Sequence, residues 1–340
     1  MRMQWFIVRT VVAMLGVALV CAGGCAPATE RFEFTRLCMG VQTRVVMHAG
    51  DLAVAEQAAA RAFAVIGEIE QALSDYRPDS EAMQLCAWAD GHAGQWAEVG
   101  VHLGSALRAS QRISAASEGA FSAAIGPAVK LWREARGSGR LPGDAERGEA
   151  VRLSDWRNVE VNESGQRVRV RVPGVRLDFG GIGKGYAAQA ALEELKKRGF
   201  GQSMVVIAGD IAVGDAPPWA AGWRIDVGGP RDLLVVNAAV STSGDTEQFV
   251  EINGKQYSHI VDVRTGLGFD ASHRAQVTVV AACGAIADGL ATALYAMPEE
   301  KAAALVERFE AAAILTRSGA GGEPKIETID SRQRLSWVER

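Results

Sequence analysis

Two segments about 100 positions apart carry the residue types that could do chemistry. The first runs Leu177-Asp178-Phe179-Gly180-Gly181-Ile182-Gly183-Lys184-Gly185-Tyr186-Ala187. It reads as a strand ending in a glycine-dense turn that opens a helix, a place where bare backbone can approach phosphate or metal. The second, Asp288 to Leu294, sets the Asp288 carboxylate and the Thr292 hydroxyl at i and i+4 on one helix face. Carboxylate, hydroxyl and exposed carbonyl are the hard oxygen ligands of magnesium and calcium. The two segments together suggest a metal-assisted site for a phosphorylated ligand. Two further stretches add polar groups. Ser241-Thr242-Ser243-Gly244-Asp245 is rich in oxygen donors and acceptors, and Tyr257 to Gly266 holds His259, Asp262 and Arg264 within six positions. Arg264 could grip a phosphate or carboxylate in bidentate fashion. His259 could move a proton near neutral pH.

Each group also has a plainer reading. The glycine turn can simply start a helix, and Lys184 can touch phosphate or only cap that turn. Asp288 can cap or pair with a neighbouring element while Thr292 fills space. His48, His92, His102 and His273 read as structural histidines. Tyr186 stands where a dinucleotide fingerprint needs its last glycine, and Gly185 follows Lys184 where a P-loop needs Ser or Thr. No HExxH or GxSxG occurs, so zinc-protease and hydrolase-elbow chemistry have no support.

The elements that must position these groups show in the patterning. Phe32 to Met47 alternates like a strand, and Leu52 to Leu73 has apolar residues at helical spacing. A polar turn spans Ser74 to Glu81, and Val101 to Ala116 is a second helix. Arg133 to Gly148 reads as a polar, glycine-rich surface loop. Val168 to Val172 alternates strictly, and Ala187 to Arg198 is a helix ended by Gly199. Met204–Val213, Trp223–Val227 and Gln276–Val280 read as strands. Helices are expected over Ile286–Met297 and Glu299–Ala311, parted by Pro298. The absence of a regular βαβ rhythm favours an α+β fold, with mixed sheets and flanking helices, over a doubly wound sheet.

At 340 residues, 48% hydrophobic and 22% charged, the composition is globular. A net charge of −4 gives no electrostatic case for nucleic acid. The N-terminus reads as a targeting segment: Arg2 and Arg9, then an apolar run from Thr10 to Val20, too short to span a membrane. Ala22-Gly23-Gly24-Cys25 looks like a bacterial lipoprotein processing box, in which Cys25 becomes the lipidated first residue. The expected organisation is a signal peptide over 1–24, a tether over 25–31 and one domain over 32–330, with room for two subdomains. Cys38, Cys86 and Cys283 form neither a disulfide framework nor a CxxC site and read as small buried apolar residues.

The order and wording of the segments resemble the ApbE family, the FAD:protein FMN transferases of the bacterial envelope. The markers are Ser74-Asp75-Tyr76-Arg77-Pro78-Asp79-Ser80-Glu81, Gly119-Ala120-Phe121 with Gly126-Pro127 and Leu131-Trp132, and the Leu177–Gly185 turn. They continue with Ala208-Gly209-Asp210, Thr242-Ser243-Gly244-Asp245, Ser258 to Gly266, and Asp288 with Thr292 and Leu294. The resemblance implies a T-fold-like architecture that binds FAD and a magnesium ion. The ion would take Asp288, Thr292 and the backbone carbonyl of Gly183. FMN would pass from FAD to a Thr or Ser hydroxyl of a client flavoprotein, releasing AMP. His259 would receive the hydroxyl proton with Asp262 orienting it. Tyr76, Gly181, Lys184, Asp210, Ser243, Asp245 and Arg264 would lie against FAD. The implied location is the cell envelope, lipid-anchored and facing the periplasm. Ser122 and Ala124 depart from the family's usual Asp and Thr. Two other activities are therefore weighed: a magnesium-dependent FAD pyrophosphatase, and a non-catalytic FAD-binding lipoprotein.

Overall fold

The computed structural model describes residues 29–229, 231–244, 249–270, 276–318 and 324–340; the leader, Cys25 and Asp245 lie outside them. In chain order the elements begin β1 (Glu30–Cys38), β2 (Val41–Ala49), α1 (Leu52–Leu73), α2 (Glu81–His92), β3 (Trp96–Glu98), α3 (Val101–Ala116), α4 (Gly126–Ser138) and α5 (Asp144–Leu153). There follow β4 (Val159–Val161), β5 (Arg167–Val170), α6 (Gly183–Lys197), β6 (Ser203–Ile207), β7 (Asp210–Val213), β8 (Trp223–Ile225), β9 (Arg231–Val235) and β10 (Ala238–Gly244). The chain continues with β11 (Phe249–Ile252), β12 (Lys255–Asp262), β13 (Leu267–Asp270), β14 (Gln276–Ala281), α7 (Gly284–Ala296) and α8 (Ala302–Arg308). It closes with β15 (Ala312–Ser318), β16 (Pro324–Ile329) and β17 (Trp337–Glu339).

Eight strands make one antiparallel sheet in the order β1-β2-β6-β7-β10-β14-β15-β16. Both faces are covered, as strand alternation requires. Val45, Met47, Val205, Val277 and Val279 point to one side, into a core shared with α1, α3, α6 and α7. Val46, Val213, Val240 and Val280 point to the other, where Trp223, Ile225, Leu233 and Val235 of β8 and β9 pack on them. A third cluster joins α4 and α5 to β11 and β12 through Trp132, Ala150, Ile252 and Tyr257. The indole Nε1 of Trp132 donates to the Ser258 carbonyl at 3.1 Å, which fixes β12 against α4. The fold is α+β, with layers of helix and antiparallel sheet.

Helices α1 and α3 occupy the residues expected from their periodicity. Asp51 caps α1, its Oδ1 accepting from the Val54 N–H at 3.0 Å. Other expectations need correction. The single strand read over Phe32–Met47 is the hairpin β1–β2, turned by Met39 and Gly40 at φ of 52° and 74°. The one read over Met204–Val213 is the hairpin β6–β7, turned at Ala208 with φ of 52°. In both, hydrophobicity runs unbroken through a two-residue turn, so periodicity alone cannot see the reversal. The loop expected over Arg133–Gly148 is mostly α4 and α5, split at Gly139 in the left-handed region. Glu299–Ala311 is one short turn plus α8. Strand β1 begins at Glu30, inside the stretch read as tether. Of the three cysteines, only Cys86 is fully buried. Among the described residues, no helix is long and apolar enough to cross a membrane.

Helices α6 and α7 cross backbone to backbone. A Cβ on Gly185 would sit 2.2 Å from the Gly284 carbonyl oxygen, and one on Gly284 would sit 2.1 Å from the Gly185 oxygen. Gly67, in contrast, lies in the middle of α1 with no atom near its absent side chain. Gly185→Ala should therefore destabilise by about 1–3 kcal/mol, because backbone cannot yield as a flexible side chain can. Gly67→Ala should stabilise by about 0.5–1 kcal/mol through helix propensity. Denaturant midpoints of the two variants test this, and equal effects of the same sign would contradict the close crossing.

Candidate active site

The crossing sets α7 against the glycine turn. The Gly185 N–H donates to Asp288 Oδ2 at 2.9 Å. One turn further along α7, Thr292 Oγ1 donates to the Gly181 carbonyl at 3.4 Å and meets Ser243 Oγ of β10 at 3.3 Å. Gly181 has no room for a side chain, since a Cβ would lie 2.8 Å from Thr292 Oγ1. Gly181, Ser243, Asp288 and Thr292 line a cleft of about 650 Å³ together with Tyr76, Arg133, Asp178, Lys184, Asp210 and His259.

Lys184 is the positive centre of the cleft floor. Its Nζ lies 3.1 Å from Asp210 Oδ2 and donates to the Gly180 carbonyl at 3.1 Å. Burial works against its charge, but Asp288, Asp210 and Asp178 hold its pKa above the usual lysine range. Asp210 is itself buried, and its Oδ1 accepts a short bond from Ser241 Oγ. Asp288 is 2% exposed. Burial, reinforced by the nearby Asp210 charge, pushes its carboxyl up to about 7 against the pull of Lys184. Asp178 is raised too, by burial and by Asp75. Its Oδ1 accepts from the Gly180 N–H at 2.8 Å, and Arg133 lies 3.4 Å from its Oδ2.

Arg133 links this floor to the rim. It binds Asp75 Oδ2 at 2.7 Å and lies 4.5 Å over the ring of Tyr76, which is 76% exposed. Arg133, Asp178 and Arg136 carry no role in the sequence reading, although all three line the cleft. A signal for the two arginines exists: Val129, Trp132, Arg133 and Arg136 recur at helical spacing and all face the cleft from α4.

The structure gathers Tyr76, Gly181, Lys184, Asp210, Ser243, His259, Asp288 and Thr292 around one cavity. It does not bring in three other expected residues. Gly183 is the first residue of α6, where a carbonyl belongs to the helix's own ladder; the carbonyl facing Thr292 is that of Gly181, still in the turn. The Asp262 carboxylate is engaged along its own turn: it takes the Arg264 backbone N–H at 2.9 Å and the Arg264 guanidinium at 2.9 and 3.1 Å. Arg264 is thereby spent on the β12–β13 turn, with Nη2 also reaching the Ala296 carbonyl at 3.2 Å, and lies off the cleft. An Asp two residues before an Arg can fold back on it within a tight turn.

The donor set suits a hard divalent cation: one carboxylate, one hydroxyl and a turn carbonyl within reach of one another. Among the described residues, no three His, Cys, Asp or Glu side chains cluster as a metal cage, so such an ion would depend on Asp288 and neutral oxygens. The Asp288 carboxyl has a folded pKa above its unfolded one. In metal-free protein its contribution to stability is present at low pH and is lost as pH rises toward about 7. A cation pairs with the ionised form, so added Mg²⁺ should raise the melting temperature little at pH 5 and clearly at pH 8. Asp288→Asn should abolish the difference. Equal shifts at both pH values would show that Asp288 is not the ligand.

Comparison with known proteins gives a consistent result. The ApbE family model matches residues 39–315. An FAD:protein FMN transferase of Klebsiella pneumoniae is 27% identical over 332 residues, 91% of this chain and 93% of that one. One from Treponema pallidum is 28% identical over 93% of this chain and 95% of its own. The apo crystal structure of Pseudomonas stutzeri flavinyl transferase ApbE matches with a TM-score of 0.77 at 29% identity, over 88% of this chain and 95% of that one.

Proposed function

The chain belongs to the ApbE family, and we propose on that footing that it is an FAD:protein FMN transferase. FMN passes from FAD to a Thr or Ser hydroxyl of a client flavoprotein, and AMP leaves. The observation that carries this reading is the meeting of Asp288 and Thr292 with the Gly181–Gly185 turn at the wall of a cleft large enough for a nucleotide.

In the reaction the acceptor oxygen forms a bond to the FMN-side phosphorus as the bond from that phosphorus to the AMP oxygen breaks. Asp288, Thr292 and the Gly181 carbonyl would hold a magnesium ion, which supplies charge neutralisation at the pyrophosphate. Lys184 faces the same region and adds a fixed positive charge. His259, on the cleft wall, takes the hydroxyl proton. Arg133 and Tyr76 form a stacked rim against which a planar ring can lie. We further propose that Cys25 carries a lipid and that the protein faces the periplasm, with an envelope electron-transfer flavoprotein as client. The leader pattern in the sequence supports this.

Soluble protein starting at Ala26, mixed with FAD, Mg²⁺ and a flavoprotein domain bearing an acceptor Thr, should add FMN to the acceptor and release AMP in equal amounts. Intact mass and AMP are read together. Asp288→Ala should lower transfer on the order of 100-fold or more. AMP with an unmodified acceptor would mean a pyrophosphatase, and bound FAD with no AMP a binding protein.

A further inference from the structure

A second cavity, of about 460 Å³, shares no residue with the cleft. It lies between α3, the turn at Trp156 and the C-terminal end of α8. Three guanidinium groups line it, from Arg108, Arg112 and Arg308, and no carboxylate does. Arg108 and Arg112 are four residues apart on α3, a like-charge spacing that disfavours a helix unless something offsets it. Elsewhere in the molecule arginines commonly rest on carboxylates, as Arg133, Arg169, Arg176 and Arg198 do. Here, among the described residues, none of the three is ion-paired. Arg108 donates once, to the Glu163 carbonyl at 3.0 Å. Arg112 lies 5.7 Å over the Phe309 ring.

The remaining walls are aromatic. Trp156 and Phe309 both line the cavity and are half-buried. Gln111 holds the Trp156 turn against α3, its amide donating to the Trp156 carbonyl at 3.1 Å and the Val159 carbonyl at 2.7 Å. Forked guanidinium donors suit phosphate oxygens, and indole and phenyl faces suit a planar ring. A cavity of this size falls in the range of small-molecule sites. From this combination we propose that the cavity binds an aromatic phosphomonoester of mononucleotide size, at a site separate from the cleft. The proposal does not rest on the reaction assigned above.

The test titrates AMP into the full chain in detergent by calorimetry. Because the cleft can take AMP as well, the informative comparison is with the double variant Arg112→Gln/Arg308→Gln. Both positions are exposed and engage no carboxylate, so its melting temperature should match that of the parent. One class of AMP binding should weaken by about tenfold or more in the double variant, as loss of charge-assisted contacts predicts. Trp156→Phe should leave that class in place, and Trp156→Ala should weaken it. Inorganic phosphate should compete and adenosine should bind poorly. Unchanged AMP binding in the double variant overturns the proposal. So does saturable binding of a glutamate-rich peptide that AMP fails to displace, which would make the cavity a protein-docking patch.

Discussion

The cleft depends on one contact, the crossing of α6 and α7 at Gly185 and Gly284. With a carbonyl oxygen 2.2 Å or less from where either Cβ would stand, no other residue lets the helices come so near. That approach carries Asp288 to within 2.9 Å of the Gly185 N–H and brings Thr292 beside the Gly181 carbonyl. Close approach explains why the glycines of the turn are so dense. Gly181 makes space for Thr292 and Gly185 for α7, while Gly183 only begins the helix. What periodicity shows as a helix start is also half of an interhelical contact.

That contact buries charge, and the charges decide what the cleft can hold. Lys184 faces Asp210, Asp178 and Asp288, three carboxyl groups against one ammonium. Buried carboxylates without enough counter-charge favour the neutral form, which is the state toward which Asp288 and Asp178 are driven. Asp210 is the one directly paired with Lys184, at 3.1 Å. Asp288 accepts instead from the Gly185 backbone N–H at 2.9 Å, and among the described residues no ion pair joins it directly. Arg133 fulfils a matching role at the rim, tying Asp178 to Asp75 and supporting Tyr76.

Much of this was legible in the residues, and the exceptions have physical causes. Helices α1 and α3 stood out because their apolar stripes are long. The hairpins were hidden because Met39 and Ala208 take left-handed backbone without the Asn or Asp that usually announces it. Helices α4 and α5 were hidden by polarity: α5 buries only Ala150, so its sequence looks like a loop. Within the cleft, Asp288 and Thr292 could be paired from spacing on one helix. Arg133 could not be paired with Asp75 and Asp178, because those partners lie 58 and 45 residues away. Asp262 and Arg264 misled for the opposite reason: residues so close in sequence satisfy each other first.

The departures at Ser122 and Ala124 raise the question of whether the cleft has lost a working part. Both are buried, and Ser122 Oγ donates to the Ser154 carbonyl at 2.7 Å while accepting from the Ala124 N–H at 3.1 Å. The side chain at 122 therefore ties its own segment to the end of α5. The same segment reaches the cleft by backbone: the Asp178 N–H donates to the Ala123 carbonyl at 2.9 Å. A backbone bond is indifferent to which side chains flank it, so Asp178 keeps its place whether position 122 is Asp or Ser. Ser122 and Asp178 line one small cavity, and Ser122 brings no charge to it. Burial and Asp75 push the Asp178 carboxyl toward its neutral form with no charge at position 122, and Asp288, Thr292 and Lys184 stand where the helix crossing puts them.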